Sequence, residues 1–296
     1  MHMWEECIKD YGLRPLWDEL LAIFDEFARI CKKHGLRYYA LWGTVLGAVR
    51  HNGFIPWDDD FDVAMPREDY EKFLRIAHEE LPSHYKIINW KNTSEFHYLF
   101  AKIQDTRRDR VSSLEKDLGF MMSNGIYIDV FPIDGYTTNK YEKIAIQLRD
   151  FLLVLIGRYR IYKWGDLTWR GRAARIVGML LSIFVPRLNS QEAIYPIFEK
   201  TAKKFKFDAS EFVGDVGLWE DVFHMPRQSR KSWGNPTPHP FEDRTIMLQE
   251  NPDEYLKSRY GDNYMKPPPE KDRHPSHSYP YRCAWCFGPT TDKLPY

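Results

Sequence analysis

Cysteine is scarce in this chain, and neither sign of charge is in excess. Cys7, Cys31, Cys283 and Cys286 are its 4 cysteines, too few and too unevenly placed for a disulfide framework. Lys and Arg number 42 against 42 Asp and Glu. The basic excess of a nucleic-acid binder is therefore lacking, and no nucleic-acid partner is expected. No apolar run reaches the roughly 18 residues needed to span a bilayer. The opening Met-His-Met-Trp-Glu-Glu-Cys has neither the basic n-region nor the apolar h-region of a signal peptide. A cytoplasmic protein is expected, at most peripheral at the inner face of a membrane. Internal repeats and low-complexity domains are absent as well.

Apolar and aromatic residues are plentiful. Hydrophobic residues make up 43% of the 296, with 10 Trp, 18 Tyr and 18 Phe, enough for a substantial core and against long disorder. Against that background one stretch, Leu41 to Met65, stands out. Asp58, Asp59, Asp60 and Asp62 lie among Trp57, Phe61 and Val63. Four acids so close together repel one another and cost several kcal/mol to bury unless a cation neutralises them.

Around this stretch the periodicities predict an ordered series of elements. Leu16, Leu20, Phe24, Phe27 and Cys31 recur at helical spacing up to Gly35. Arg37 to Trp42 reads as a short buried strand feeding a turn at Gly43 and Thr44, and Val45 to Arg50 as one or two helical turns. A strand running into a helix start points unpaired N–H groups at one spot, where a phosphate is welcome. Phe54 to Met65 reads as one extended segment. Alternation along it puts Asp58, Asp60 and Asp62 on one face and Asp59, Phe61 and Val63 on the other.

Glu68 and Asp69 open a further helix, and Tyr85 to Trp90, Tyr98 to Gln104 and Tyr127 to Phe131 are strand candidates. Asp129 sits inside the last of these, with Asp134 just beyond it. A charge in so apolar a run must be paired or bound to a metal, which makes Asp129 the fourth convergent carboxylate.

From Tyr141 the pattern is helical. Between Phe151 and Asn189 seven basic residues face a single acid, Asp166, and the apolar run Ile176 to Val185 lies among them. Two readings stay open: a helix lying in a membrane interface beside anionic lipid through 151–189, or a buried helix of an inserted subdomain. Pro196 interrupts a helical stretch from Gln191 to Phe205. Phe212 to Leu218 reads as a strand, Trp233 to Pro240 as a loop and Asn251 to Tyr260 as a helix before an extended, proline-led tail. In that tail His274, His277, Cys283 and Cys286 have spacing compatible with zinc, against the plainer reading of two reduced thiols.

Gly43-Thr-Val-Leu-Gly-Ala-Val-Arg50, Gly53-Phe-Ile-Pro-Trp-Asp-Asp-Asp-Phe-Asp62, Arg67-Glu-Asp-Tyr70, Ile128-Asp-Val-Phe-Pro-Ile-Asp134 and Tyr255-Leu-Lys-Ser-Arg-Tyr-Gly-Asp262 together resemble the LicD family of phosphotransferases. That family lies within the nucleotidyltransferase-like superfamily and is related to fukutin and fukutin-related protein. The resemblance covers residues 20 to 135 and, less closely, 240 to 277.

It implies an α+β fold, a nucleotidyltransferase-like mixed sheet flanked by helices. Residues 1–138 would be the catalytic core and 209–296 a C-terminal part completing the cleft, while 139–208, which carry no resemblance and are read from their residue pattern alone, are expected to be a helical insertion that could face a membrane. It also implies transfer of a phospho-alcohol, phosphocholine or a polyol phosphate, from a CDP-activated donor to a hydroxyl of a cell-surface or lipid-linked glycan, with CMP released. Pyrophosphate-releasing nucleotidyl transfer, or a non-catalytic glycan- or metal-binding role, are the alternatives.

Clustered oxygen ligands suit Mg2+ or Mn2+. Asp60 and Asp62 are assigned to metal binding, Asp58 as a further ligand, and Asp129 as either the remaining ligand or the base. Gly43 and Thr44 would meet the donor diphosphate, Arg50 and Lys102 would neutralise it, and Arg273 and His277 would line the cleft. Trp42, Trp57 and Tyr98 are candidates to cage a quaternary ammonium.

Overall fold

The computed structural model describes residues 13–93, 96, 98–107, 125–158, 169–188, 190–214, 228–273 and 275. His274, His277, Cys283 and Cys286 lie outside the described residues, and so does the zinc reading that rests on them.

The first helix, α1 (Arg14–His34), forms where the apolar spacing predicts. Trp17, Leu20, Leu21, Phe24, Phe27, Ile30 and Cys31 bury one face, Lys32, Lys33 and His34 occupy the last turn, and Gly35 ends the helix. Basic residues there complement the negative end of the helix dipole.

Beneath α1 lies a mixed sheet built from β1 (Tyr39–Ala40), β2 (Asp62–Pro66), β3 (Tyr85–Ile88), β4 (Ala101–Asp105) and β5 (Ile126–Tyr136), in the order β1-β2-β5-β4-β3. Strands β2 and β5 run parallel, and the other neighbours pair antiparallel. β6 (Phe212–Gly214) pairs with the far end of β5, and β7 (Gln228–Ser229) pairs with β6. A separate hairpin, β8 (Thr237–Phe241) with β9 (Arg244–Leu248), lies off this sheet. The remaining helices are α2 (Trp42–His51), α3 (Arg67–Glu80), α4 (Lys140–Arg158), α5 (Trp169–Phe184), α6 (Gln191–Ala202), α7 (Arg230–Trp233) and α8 (Pro252–Tyr260). The architecture is α+β.

One large core joins α1, the central strands and the C-terminal residues Trp233, Phe241, Ile246, Tyr255 and Leu256. Within it Phe61, 1% exposed, meets Phe24, Phe54 and Phe241 at ring-centroid distances of 4.9, 5.8 and 5.4 Å. Such aromatic pairs add about 0.5–1.5 kcal/mol each beyond area burial. This anchor fixes the chain midway between Asp60 and Asp62. A second, smaller core joins Leu153 and Ile156 of α4 to Ile194, Tyr195 and Phe198 of α6 and to Leu99, just before β4.

Several expected elements are redrawn. The strand predicted over Phe54–Met65 begins only at Asp62. Pro56 and Trp57 form a turn in which Asp58 N donates to the Ile55 carbonyl at 2.8 Å, so Asp58, Asp59 and Asp60 are held in irregular backbone. The strand predicted over Arg37–Trp42 shrinks to Tyr39–Ala40, because Trp42 already starts α2. Helix α6 runs unbroken across Pro196.

Residues 233–240 are not a loop throughout, since Trp233 is a buried helix end and Thr237–Phe241 is a strand. Pro238 and Pro240 are two positions apart, so their missing donors fall on one edge of the ribbon, where no ladder needs them. The apolar run Ile176–Val185 is not a buried helix: Ile176, Val177, Met179, Leu180, Ile183, Phe184 and Val185 are all exposed. Among the described residues no helix is long and apolar enough to cross a membrane.

Candidate active site

Sheet register builds the centre of the site. The parallel pairing of β2 with β5 sets Asp62 beside Asp129. The antiparallel pairing of β4 with β5 sets Lys102 on Asp129's other side. Residues side by side across a sheet share a face, so one row runs Asp62, Asp129, Lys102 over three strands. Lys102 Nζ donates to Asp129 Oδ1 at 2.7 Å, and the two side chains are 4% and 10% exposed. The ammonium also lies 3.5 Å from the Tyr127 ring centre, 5.2 Å from that of Tyr98 and 5.4 Å from that of Phe100. A desolvated cation gains about 2 kcal/mol from such a face.

The turn before β2 supplies the other acids. The Asp60 carboxyl stands beside that of Asp58. Enclosure first, and then repulsion from Asp60, hold the proton affinity of both Asp58 and Asp62 well above the ordinary carboxylate range. Asp129 and Asp58 add to the repulsion on Asp62, and Lys102 opposes it. Asp59 is buried as well.

Among the described residues no three Asp, Glu, His or Cys side chains converge on one point as a ready-made metal cage. Lys102 holds Asp129 of the row in its present position. The donor set is nonetheless all oxygen, enclosed, and short of positive charge. That is the chemistry a hard divalent cation satisfies.

Gly43 serves this cluster directly. A Cβ on Gly43 would stand 2.6 Å from Oδ2 of Asp58, so its bare backbone makes room for that carboxyl. The Thr44 hydroxyl oxygen accepts from Asp62 N at 2.9 Å, and Thr44 N donates to the Leu41 carbonyl at 3.0 Å. The Thr44 hydroxyl therefore ties α2 to β2. Trp42 opens α2 at φ 43°, a left-handed conformation that costs a bulky residue about 1–3 kcal/mol. Its N–H donates to the Tyr255 hydroxyl at 3.0 Å, and its ring packs on Phe131 at 4.6 Å. Those contacts hold it there.

Two further assigned cations, Arg50 and Arg273, are held by partners of their own. Arg50 is buried; its Nε donates to His51 Nε2 and its Nη1 to the Tyr264 carbonyl, both at 2.9 Å. Burial lowers its pKa, while Tyr260 and Asp58 act in the opposite sense. The Arg273 guanidinium lies 5.4 Å from the Trp57 ring centre, with Nε donating to the Pro268 carbonyl. His277 falls outside the described residues.

Of the aromatics considered for a quaternary-ammonium cage, each already carries one of the chain's own cations: Arg259 on Trp42, Arg273 on Trp57 and Lys102 on Tyr98. The three are not gathered around a common space by these contacts.

Sequence reasoning missed Tyr127 and Phe100, which flank Lys102, and Tyr260, whose phenol is within electrostatic reach of Asp58 and Asp62. Strand alternation could have found Tyr127, since it lies two residues from Asp129 on the same face. Arg259 and Tyr260 themselves come from α8, about two hundred residues after the clustered acids, and no local signal connects them.

Residues 35–150 match the model of the LicD/FKTN/FKRP nucleotidyltransferase domain. Over 275 residues, 91% of this chain and 97% of the relative, the sequence is 26% identical to the lipopolysaccharide cholinephosphotransferase LicD of Haemophilus influenzae. Shorter similarities reach uncharacterised proteins of two rickettsiae. One, of Rickettsia typhi, is 39% identical over 57 residues, 19% of this chain and 18% of the relative. The other, of Rickettsia prowazekii, is 40% identical over 68 residues, 22% and 25% of the two chains. The matched domain spans β1 to β5 and so contains Gly43, the four clustered acids, Lys102 and Asp129, which makes this part of the chain similar to the LicD/FKTN/FKRP nucleotidyltransferase domain.

Proposed function

We propose that this protein transfers phosphocholine from a CDP-activated donor to a hydroxyl of a cell-surface or lipid-linked glycan and releases CMP, using a divalent cation, Mg2+ or Mn2+. The cholinephosphotransferase named above is similar along nearly its whole length, which supports the cargo and the glycan acceptor. The observation that carries the chemistry is the row Asp62, Asp129, Lys102 with Asp58 and Asp60 beside it.

Asp58, Asp60, Asp62 and Asp129 would hold the cation. When bound, it supplies charge stabilisation for the phosphate oxygens and for the leaving group. In phosphoryl transfer the protein mainly positions the reactants and stabilises charge, because the transition state is loose. The acceptor oxygen forms a bond to the choline-bearing phosphorus as the bond from that phosphorus to the CMP oxygen breaks, and the acceptor proton passes to a carboxylate of the row. Lys102 holds one oxygen of Asp129 in place. Gly43 lets Asp58 approach the turn, and the Thr44 contact keeps Asp62 in register with it. Arg259 and Arg273, stacked on Trp42 and Trp57, present positive charge at the rim toward a diphosphate.

Incubation with Mg2+, an acceptor glycan and CDP-choline, CDP-glycerol or CDP-ribitol in turn tests the reading, with CMP and modified glycan as products. CMP released with CDP-choline supports it; preference for another CDP-alcohol corrects the cargo. Pyrophosphate formed from a nucleoside triphosphate, with no CMP from any donor, would replace it by nucleotidyl transfer.

A further inference from the structure

Helices α4 and α5 pack on one another, yet each turns a stripe of large apolar side chains to solvent. On α4 these are Tyr141, Ile144, Leu148 and Leu152, spaced three and four residues apart. On α5 and the residue after it they are Trp169, Ile176, Val177, Met179, Leu180, Ile183, Phe184 and Val185, with Phe184 80% and Trp169 74% exposed. The buried side of α5 carries small residues instead: Gly171, Gly178 and Ser182. This is an amphipathic helix turned inside out, its bulk facing away from its own protein. Scattered exposed apolar residues are ordinary, but a contiguous patch of this kind marks an interaction site.

Charge identifies the partner. From Leu167 to Gln191 there is no acid, while Arg170, Arg172, Arg175 and Arg187 are basic; Arg172 and Arg187 lie exposed beside the apolar stripe. On α5 an apolar face with basic residues and no acid complements a surface that is apolar inside and negative at its rim, and of the two acids of α4 Glu142 is paired with Lys204 and Asp150 is buried. At 16 residues, α5 is about 24 Å long, shorter than the roughly 30 Å hydrocarbon core, so it suits lying in the interface. Tyr141 and Trp169, at the starts of the two helices, are residue types that settle at headgroup level.

We infer that the α4–α5 face is a docking surface for an anionic phospholipid bilayer, lying flat in its interface without crossing it. This goes beyond the transfer reaction and does not depend on it. It would keep the protein beside lipid-linked substrates.

Sedimentation with phosphatidylglycerol-containing and with purely phosphatidylcholine vesicles tests this on the full-length protein. The variants are Ile183→Asp/Phe184→Asp and Arg172→Gln/Arg187→Gln, with melting temperature as the check on folding. Binding to the anionic vesicles is expected to fall about tenfold or more in the aspartate variant. Loss of two arginines, each worth about fivefold near an anionic surface, should weaken it by at least about tenfold. Failure of the wild type to bind anionic vesicles, or equal binding by a folded aspartate variant, would overturn the inference. So would self-association in sedimentation velocity that the aspartate variant abolishes while vesicle binding persists unchanged, which would assign the face to a second copy of the chain.

Discussion

Replacing Gly43 by Ala and, separately, Gly47 by Ala puts the same methyl group on one short helix with opposite expected consequences. On Gly43 the new Cβ stands 2.6 Å from Oδ2 of Asp58, the far end of a side chain. Ordinary contact returns once that carboxyl retreats by about 1 Å. Gly43 has no positive φ, so alanine fits its backbone, and the helix-propensity gain of about 0.5–1 kcal/mol offsets the crowding. Stability should change by less than about 1 kcal/mol. Catalysis should not be spared, because misplacing an active-site group by about 1 Å costs on the order of 100-fold.

On Gly47 the Cβ meets backbone, the Gly53 carbonyl oxygen at 2.5 Å and Ile55 N at 3.2 Å. Neither can swing aside, so that substitution should cost about 1–3 kcal/mol and lower the melting temperature by roughly 2–4 °C per kcal/mol. Thermal unfolding and CMP release measured on both variants check the pair. Gly43→Ala with unaltered turnover would refute the place given to Asp58 in the site. Gly43→Ala as unstable as Gly47→Ala would refute the claim that the carboxyl yields.

Asp62→Asn should abolish CMP release by a factor of about 100 or more while raising the melting temperature of the metal-free protein, since one of several mutually repelling, enclosed acids is gone; a lower melting temperature would contradict the repulsion. The same repulsion has a pH signature. Asp58 and Asp62 bind protons more tightly folded than unfolded, so their contribution to metal-free stability falls as pH rises from the unfolded carboxylate range, near 4, through their raised values. The melting-temperature gain of Asp62→Asn over wild type in EDTA should therefore be larger at pH 8 than at pH 5 and should shrink when Mg2+ is added; a pH-independent difference would count against it. Lys102→Met strands Asp129 beside Asp62 and should cost about 3–5 kcal/mol, part of it recovered in Mg2+, as followed by denaturant unfolding. Arg67→Lys keeps the charge but loses the two-pronged grip on Asp134, which is 0% exposed and bonded at 2.9 and 2.5 Å. It should cost about 1–3 kcal/mol in chemical denaturation.

Helix α1 was legible because its burial is set by one face of one helix, and spacing alone reports that. Asp129 was legible as a buried acid for a similar reason: a charge inside Ile126–Phe131 has to be compensated. What compensates it was not. Lys102 reaches Asp129 through the pairing of β4 with β5, a relation between segments that neither segment's pattern records. The acids before β2 illustrate the limit differently. Alternation placed Asp58, Asp60 and Asp62 on one strand face, whereas the Pro56–Trp57 turn takes Asp58 and Asp60 out of any strand. They remain close to Asp62 because Phe61 is pinned in the aromatic core and Trp17 Nε1 holds the Asp58 carbonyl at 2.8 Å. The exposure of α5 was also beyond reach, since an apolar run of its length reads the same whether it faces a core or a membrane.

The central acids are only as well placed as the register that joins β2 to β5. A slip of one residue would set Asp62 beside Ile128 or Val130 and turn Asp129 to the opposite face of the sheet. Register is fixed by the apolar residues on the face opposite the acids, here Val63, Met65, Ile128 and Val130, all 0% exposed. The turn that leads into α2 needs separate fixing, because Trp42 is strained and β1 is two residues long. Residues from 228 onward provide it: Tyr39 Oη donates to the Gly234 carbonyl, Gln249 Nε2 to the Ala40 carbonyl, Trp42 N to Tyr255 and Arg50 to the Tyr264 carbonyl, over distances of 2.8–3.0 Å. Each bond joins the β1–α2 segment to a partner about two hundred residues later. The C-terminal part is thus a clamp on the turn that carries Gly43. Substituting Tyr255 by Phe removes one such bond and strands a buried N–H, so it should loosen Trp42 and Gly43 at a cost of about 1–3 kcal/mol without touching any acid.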